Sequence, residues 1–301
     1  MTEVLLGSVI ATFGRHMVVR TVDGTELRAR PFGRALEVVC GDEVRCRVDA
    51  RHEEVHVIEV LKRRSALWRG NSRGGAEPVV ANLTRLLVVL APVPLPDLFV
   101  IDRYLAAATA AEVPATLIVN KSDLGSPAGL ALELEAYAAA GFTAIGCSAA
   151  SGEGIGRLQA ALAPGTRAAL VGQSGVGKSS LVRRLVPQAE VAIGALVREE
   201  EGRHTTTAAW LFDLPQGAAL IDSPGVRDFA PAVSTLDERT LGFPEVARLA
   251  PACRFKDCRH LREPGCAVRA AAEDGSWHAR RYESYRRLRR LRAQLSETRG
   301  R

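Results

Sequence analysis

A chain of 301 residues with 47% hydrophobic content is long enough for two or three domains with cores of their own, which excludes a single small module. The longest apolar runs, such as residues 86–93, fall far short of the ~20 residues a bilayer requires, so a transmembrane helix is not expected. The net charge of +6 is local: from Trp277 to Arg301 nine Arg stand against Glu283 and Glu297, an excess suited to a polyanion such as RNA more than to a small substrate.

The start, Met1-Thr-Glu-Val-Leu-Leu, has no basic stretch, long apolar core or cleavage site, so a cytoplasmic protein without membrane association is expected. Residues 4–61 read as five short strands, at 5–13, 17–21, 26–29, 43–48 and 54–60, with turns at Phe13-Gly-Arg-His16, Asp23-Gly24 and Cys40-Gly-Asp42. That density suits a small barrel, an OB-fold first and an SH3-like module second. From Lys62 to Glu77, the run Arg69-Gly-Asn-Ser-Arg-Gly-Gly75 reads as a mobile polar linker, either touching phosphate or merely solvated.

Apolar strands then alternate with helical patterns: strand 86–90, helix 98–111, strand 116–119, helix 129–140, strand 143–146, helix 155–163, strand 167–171, helix 179–186, and strands 208–213 and 218–221. This alternation predicts a mostly parallel α/β sheet covered on both faces. From about Leu236 the pattern turns helical. It ends in a helix over 277–295, where Tyr282, Tyr285, Leu288, Leu291 and Leu295 make one apolar stripe.

The chemistry-bearing motifs lie at the ends of these elements. Asn120-Lys121-Ser-Asp123 follows strand 116–119, where an Asp carboxylate can accept two bonds from guanine N1–H and its exocyclic amine, a pattern adenine lacks. Cys147-Ser148-Ala149 follows the next strand and fits a second base loop, whose backbone N–H would meet guanine O6. The stretch Gly172, Gln173, Ser174, Gly175, Val176, Gly177, Lys178, Ser179 matches G-x-x-x-x-G-K-[ST], with Ser180 continuing into a helix. Its backbone N–H groups would close around a β-phosphate at a helix N-terminus, Lys178 would reach the β/γ oxygens and Ser179 would ligate Mg²⁺. The chain has only Lys62, Lys121, Lys178 and Lys256 among its 40 Lys+Arg, and two of the four fall in these motifs. An ammonium is the compact point charge such sites need.

Asp222-Ser-Pro-Gly225 ends strand 218–221, placing a carboxylate to hold Mg²⁺ through water and a glycine whose N–H can approach a γ-phosphate. Between it and the P-loop, Gly202-Arg-His-Thr-Thr-Thr207 supplies hydroxyls for the Mg²⁺ sphere and a histidine for water chemistry. Spacing does not separate the threonines; Thr205 is the first candidate and Thr206 the second. Of the six cysteines, Cys40, Cys46 and Cys147 are scattered, whereas Cys253, Cys258 and Cys266 crowd around His260. Three thiolates and one imidazole complete a tetrahedral structural Zn²⁺ site, with every ligand supplied by the protein.

In chain order the elements read base, base, phosphate, switch, switch, so the base motifs precede the phosphate loop that they follow in an ordinary GTPase. With Ala81-Asn82, Asp102-Arg-Tyr-Leu105 and the triple threonine after Gly202-Arg-His204, the chain resembles the circularly permuted GTPases of the ribosome small-subunit-dependent GTPase A (RsgA/YjeQ) family over nearly its whole length. The resemblance implies an OB-like RNA-binding barrel at 1–64, a circularly permuted P-loop GTPase domain at 65–232 and a zinc-binding helical module at 233–301. It implies hydrolysis of GTP to GDP in late maturation of the small ribosomal subunit, by a monomer that binds its rRNA and leaves on hydrolysis. The implied cofactors are GTP/GDP, Mg²⁺ and one structural Zn²⁺. Val226 stands where many GTPases carry the glutamine that orients water. The resemblance points to His204 in its place, with packing or RNA contact as that residue's other use. Ser223, where Thr is common, and Val226, where a larger apolar residue is frequent, depart from the family pattern without removing a ligand. Two rivals stay open: a nucleotide-gated RNA-binding assembly protein with little intrinsic catalysis, and an ATP-dependent P-loop enzyme such as a small kinase, which Asn120 and Asp123 oppose.

Overall fold

The computed structural model describes residues 3–33, 35–49, 54–71, 75–125, 127–187, 208–223 and 230–299. Five strands open the chain: β1 (Glu3–Phe13), β2 (His16–Thr21), β3 (Glu26–Pro31), β4 (Glu43–Asp49) and β5 (Glu54–Val60). β1 pairs antiparallel with both β2 and β4, while β3 runs parallel to β5, which closes an OB-like barrel in the order β1-β2-β3-β5-β4. Val9, Met17, Val19, Ala29, Val44, Cys46 and Val57 fill its interior, as the two-residue period of a strand directs.

Within the expected linker at 62–77, residues 66–70 and 76–77 belong instead to a strand pair, β6 (Ala66–Gly70) against β7 (Ala76–Ala81), while Ser72, Arg73 and Gly74 lie outside the described residues. Its polar letters mislead because the charges pair across the strands, Arg69 with Glu77, while Leu67 and Val80 are buried in the main core. The chain beyond residue 229 returns to this strand pair: Ala232 N–H donates to the Trp68 carbonyl at 2.8 Å.

The α/β part follows the predicted alternation: β8 (Arg85–Leu90), α1 (Leu98–Ala110), β9 (Ala115–Val119), α2 (Ala128–Ala139), β10 (Thr143–Gly146), α3 (Ile155–Ala161), β11 (Arg167–Gly172), α4 (Lys178–Leu185), β12 (Ala208–Asp213) and β13 (Ala219–Asp222). The spatial order is β10-β9-β8-β11-β13-β12, parallel throughout except for β12. Leu86 to Leu90 are all buried, since helices cover both faces and an unbroken apolar run is what such a strand needs. Asp97 caps α1, its carboxylate accepting from Phe99 and Val100 N–H at 3.0 and 3.3 Å.

The barrel and this sheet are continuous, which the strand pattern alone does not reveal. Residues 3–8 of β1 pair with β4, and Ala11 to Phe13 pair with β12. The register shifts between Val9 and Ala11, a bulge that bends β1 from one sheet into the other. Arg20 then reaches Asp213 across the junction at 2.7 Å.

Three helices complete the chain: α5 (Pro244–Leu249), α6 (Ala267–Glu273) and α7 (Ala279–Arg299). The predicted stripe on α7 holds for Tyr285 and Leu288, which are fully buried, and for Tyr282 and Leu291, which pack against the core, but Leu295 is 38% exposed beyond the end of the packed face. Among the described residues no helix is long and apolar enough to cross a membrane.

Candidate functional site

Because β8, β9, β10, β11 and β13 run parallel, their carboxyl ends share one edge, and the loops leaving β9, β10 and β11 interlock there. Asn120, 1% exposed, is the pin. Its Nδ2 donates to the Val176 carbonyl at 2.8 Å, and its Oδ1 accepts from Ala149 N–H at 3.0 Å. Lys121 adopts a left-handed conformation at φ 60° and extends its ammonium to the carbonyls of Val93 and Gly175, at 2.7 and 2.8 Å. Asp123 follows on a 3₁₀ turn, Ser122–Leu124, with its carboxylate toward solvent.

The glycines of the P-loop are required by contact. A Cβ on Gly172, at φ 146°, would lie 2.2 Å from the Val89 carbonyl, and one on Gly177, at φ 92°, would lie 2.3 Å from Asn120 Nδ2. Val176 is fully buried beneath the loop, whereas Ser174, Gly175 and Ser179 are exposed along it and Gln173 and Ser180 half-buried. Lys178 is nearly buried, and its ammonium arches back to the carbonyls of Gly172 and Gln173 at 2.7 and 2.8 Å. Gln173 Oε1 accepts from Asp97 N–H at 2.9 Å, tying the loop to the start of α1. The α4 N-terminus at Gly177 and Lys178 supplies the positive end of a helix.

The second base loop is equally fixed. Ser148 is fully buried, its Oγ accepting from Ser151 N–H at 3.1 Å, and Ala149 is 8% exposed. Arg184 on α4 grips this loop from the other side, Nε to the Ala149 carbonyl at 2.8 Å and Nη2 to the Ala150 carbonyl at 2.9 Å. No motif points to Arg184; only the fold brings the end of α4 against the β10 loop. Asp222 ends β13 beside β11 and is 7% exposed, with Ser223 after it equally buried. His204, Thr205, Thr206, Gly225 and Val226 lie outside the described residues.

At the far end of the chain the four predicted metal ligands converge. Cys253 Sγ and Cys266 Sγ each stand 3.5 Å from His260 Nδ1 and 4.0 Å from each other, and all four ligand atoms, Cys258 included, lie within 4.8 Å of one another. Tetrahedral ligands at zinc–ligand bond lengths are about 3.5–3.8 Å apart, so the donor set and its spacing fit zinc. Burial, aided by Arg289, holds the His260 imidazole below its ordinary pKa, in the neutral form a metal takes. Arg269 N–H donates to Cys266 Sγ at 3.3 Å and Tyr282 OH to the His260 carbonyl at 2.8 Å, orienting two ligands from α6 and α7. Cys40 and Cys147 stand apart from this cluster in the core, where burial pushes the first up to about 12 and the second up to about 11.

A buried ion network joins this module to the α/β part. Asp102 on α1 accepts from Arg280 and Arg281 of α7; Arg281 also forks onto Glu245 of α5, and Arg280 reaches Glu133 of α2. Arg103 Nη2 donates to the Pro231 carbonyl at 3.0 Å, and Tyr104 and Leu105 are buried. Asp102 and Arg103 of the Asp102-Arg-Tyr-Leu105 motif thus tie α1 to the chain beyond residue 229.

Comparison with known proteins agrees with this architecture. A family model described as RsgA GTPase matches residues 60–231, more than half of the chain. The small ribosomal subunit biogenesis GTPase RsgA of Chromohalobacter salexigens is 43% identical over 292 residues, covering 94% of this chain and 85% of that protein. The protein of the same name from Azotobacter vinelandii is 42% identical over 291 residues, covering 94% and 84%. Among solved structures, YjeQ from Thermotoga maritima superposes with a TM-score of 0.71 at 25% identity, over 99% of this chain and all of that one. YloQ, described as a circularly permuted GTPase, gives 0.69 at 22% identity over 98% and 96%, a likeness of fold. The chain belongs to the RsgA GTPase family.

Proposed function

We propose that this chain hydrolyses GTP to GDP and phosphate during late maturation of the small ribosomal subunit, binding the subunit's rRNA and leaving on hydrolysis. The observation that carries the reading is the interlock of three loops through Asn120 at one sheet edge, where base and phosphate loops are locked into a single rigid cradle. In it, Gly172 to Ser180 take the phosphates and Lys178 the charge between them, while Asp123 selects guanine. Asn120 and Lys121 hold the base loop on the P-loop, and Ser148 and Ala149 present the second base loop. Ser179 and Asp222, with Thr205 or Thr206, would hold Mg²⁺, which when bound neutralises charge on the phosphates. Gly225 would face the γ-phosphate and His204 would help the attacking water.

The parts divide at 1–64, 65–232 and 233–301, the last folded around zinc held by Cys253, Cys258, His260 and Cys266. The relatives' shared name supports the ribosomal role, and the exposed Arg side chains of α7 support contact with RNA phosphate. We place the protein in the cytoplasm as a monomer. The test is nucleotide competition followed by hydrolysis: labelled GDP should be displaced by GTP and not by ATP, and phosphate release should rise when small subunits are added. Displacement by ATP at the same concentration, or release unchanged at saturating subunit, would overturn the reading.

A further inference from the structure

We infer that Arg184 is a positioning residue for base recognition: its fork onto two successive carbonyls sets the second base loop, and through it the reading of the guanine 6-oxo group. The inference rests on the guanine site proposed above. It starts from peptide geometry. In a planar trans peptide the C=O and the next N–H point in opposite directions. Arg184 Nε draws the Ala149 carbonyl toward α4, so the Ala150 N–H of that same peptide is turned away from α4. Arg184 Nη2 does the same to the Ala150 carbonyl, and the next N–H, that of Ser151, is held by Ser148 Oγ. The preceding unit is fixed from the opposite side, Ala149 N–H donating to Asn120 Oδ1.

Three consecutive peptides are therefore oriented by side chains. Both outer anchors trace back to the same segment: Asn120 is bonded to Val176 of the P-loop, and Arg184 stands on the helix that the P-loop begins. The element that cradles phosphate thus also sets the loop that meets the base. An Arg suits this task because its planar fork fixes the directions of both bonds, whereas an ammonium, as Lys178 shows, reaches two carbonyls only as a rotating point charge.

The experiment compares the affinities of GDP and of 2-aminopurine riboside diphosphate, which keeps the sugar, phosphates and 2-amino group but lacks the 6-oxo and, with it, the N1–H; the loss at N1 falls on Asp123 in every variant alike. Wild-type protein, Arg184→Met and Arg184→Lys are measured by calorimetry, with melting of each nucleotide-free protein alongside. Arg184→Met should weaken GDP about tenfold, the loss of one good interaction, and the 2-aminopurine nucleotide less than about threefold. Arg184→Lys, which keeps the charge but not the planar fork, should fall between, and carries the comparison if the methionine variant does not fold. Equal losses for both nucleotides, or no loss of GDP affinity, would overturn the inference and leave the guanine site standing. Wild-type protein that binds the two nucleotides alike would instead remove the base-loop reading itself, and the inference with it.

Discussion

Asp102 on α1 and Arg281 on α7, 179 residues apart in sequence, are joined at 2.6 Å with side chains 0% and 2% exposed. Arg281 turns Nε and Nη2 on Glu245, itself 3% exposed, so one guanidinium bridges two buried carboxylates while Arg280 supplies the second positive charge. Arg281→Met should therefore lower stability by about 3–5 kcal/mol, because Glu245 is left buried without its cation and Asp102 retains only Arg280. Urea unfolding measures this. A loss under about 1 kcal/mol, as for an exposed pair, would show that water enters the junction.

That network explains which features the sequence could reveal. Strands β1 to β5 and the βα alternation were legible because each carries the period of its element and ends at a turn residue. Asn120, Asp123, the P-loop and the Cys/His cluster were legible because chemistry needs those residue types at fixed spacing. The strand pair β6 and β7 was hidden, since Arg69 and Glu77 read as solvated charge until their pairing is seen. Arg184 was hidden for a similar reason: its partners are backbone carbonyls, which leave no trace in composition. The basic tail was half legible. Its charge is real, but Arg280 and Arg281 are spent on the ion network, Arg289 on the carbonyls of Glu238 and Arg239, and Arg292 on that of Leu236.

For base selection, Asp123→Asn should shift preference from guanine toward xanthine nucleotides. The carboxylate accepts from the guanine amine, whereas the amide can donate to the xanthine 2-oxo group. Because Asn120 and Lys121 keep the loops joined, the variant should remain folded. Competition binding with GDP and xanthosine diphosphate reads the exchange; loss of the first without gain of the second would count against Asp123 as the selecting group.

The metal cluster makes a separable prediction. Cys258→Ser should lower zinc content from about one per chain and loosen α6 and α7, since metal binding and folding of such a module are one equilibrium. Burial pushes the Cys258 thiol up to about 12 without a metal, so zinc must displace a tightly held proton and its affinity should fall as pH is lowered. GDP affinity should change little, because the base and phosphate loops lie at another edge of the molecule. Elemental analysis and far-ultraviolet dichroism before and after chelation check both halves; finding no zinc in protein purified without chelators would sink the assignment.

The remaining prediction separates catalysis from docking by comparing two variants against small-subunit concentration. Val226 cannot orient water, so intrinsic hydrolysis should be slow, and the subunit should accelerate it by setting His204 against the γ-phosphate. His204→Ala should then remove most of the stimulated rate at saturating subunit while GDP affinity stays near wild type, because the P-loop and base-loop contacts are untouched. Arg286, Arg287 and Arg290 are the docking counterpart: their side chains are 43%, 58% and 56% exposed and share the single carboxylate of Glu283, which leaves net positive charge on that face of α7. Changing these three to Gln, with Arg289 kept for its carbonyl bonds, should raise the subunit concentration needed for half-stimulation and flatten its salt dependence, with the plateau rate preserved. A plateau unchanged by His204→Ala would mean that the histidine is structural. A lowered plateau in the arginine variant, at unchanged half-stimulation, would mean that α7 acts on the chemistry and not on attachment.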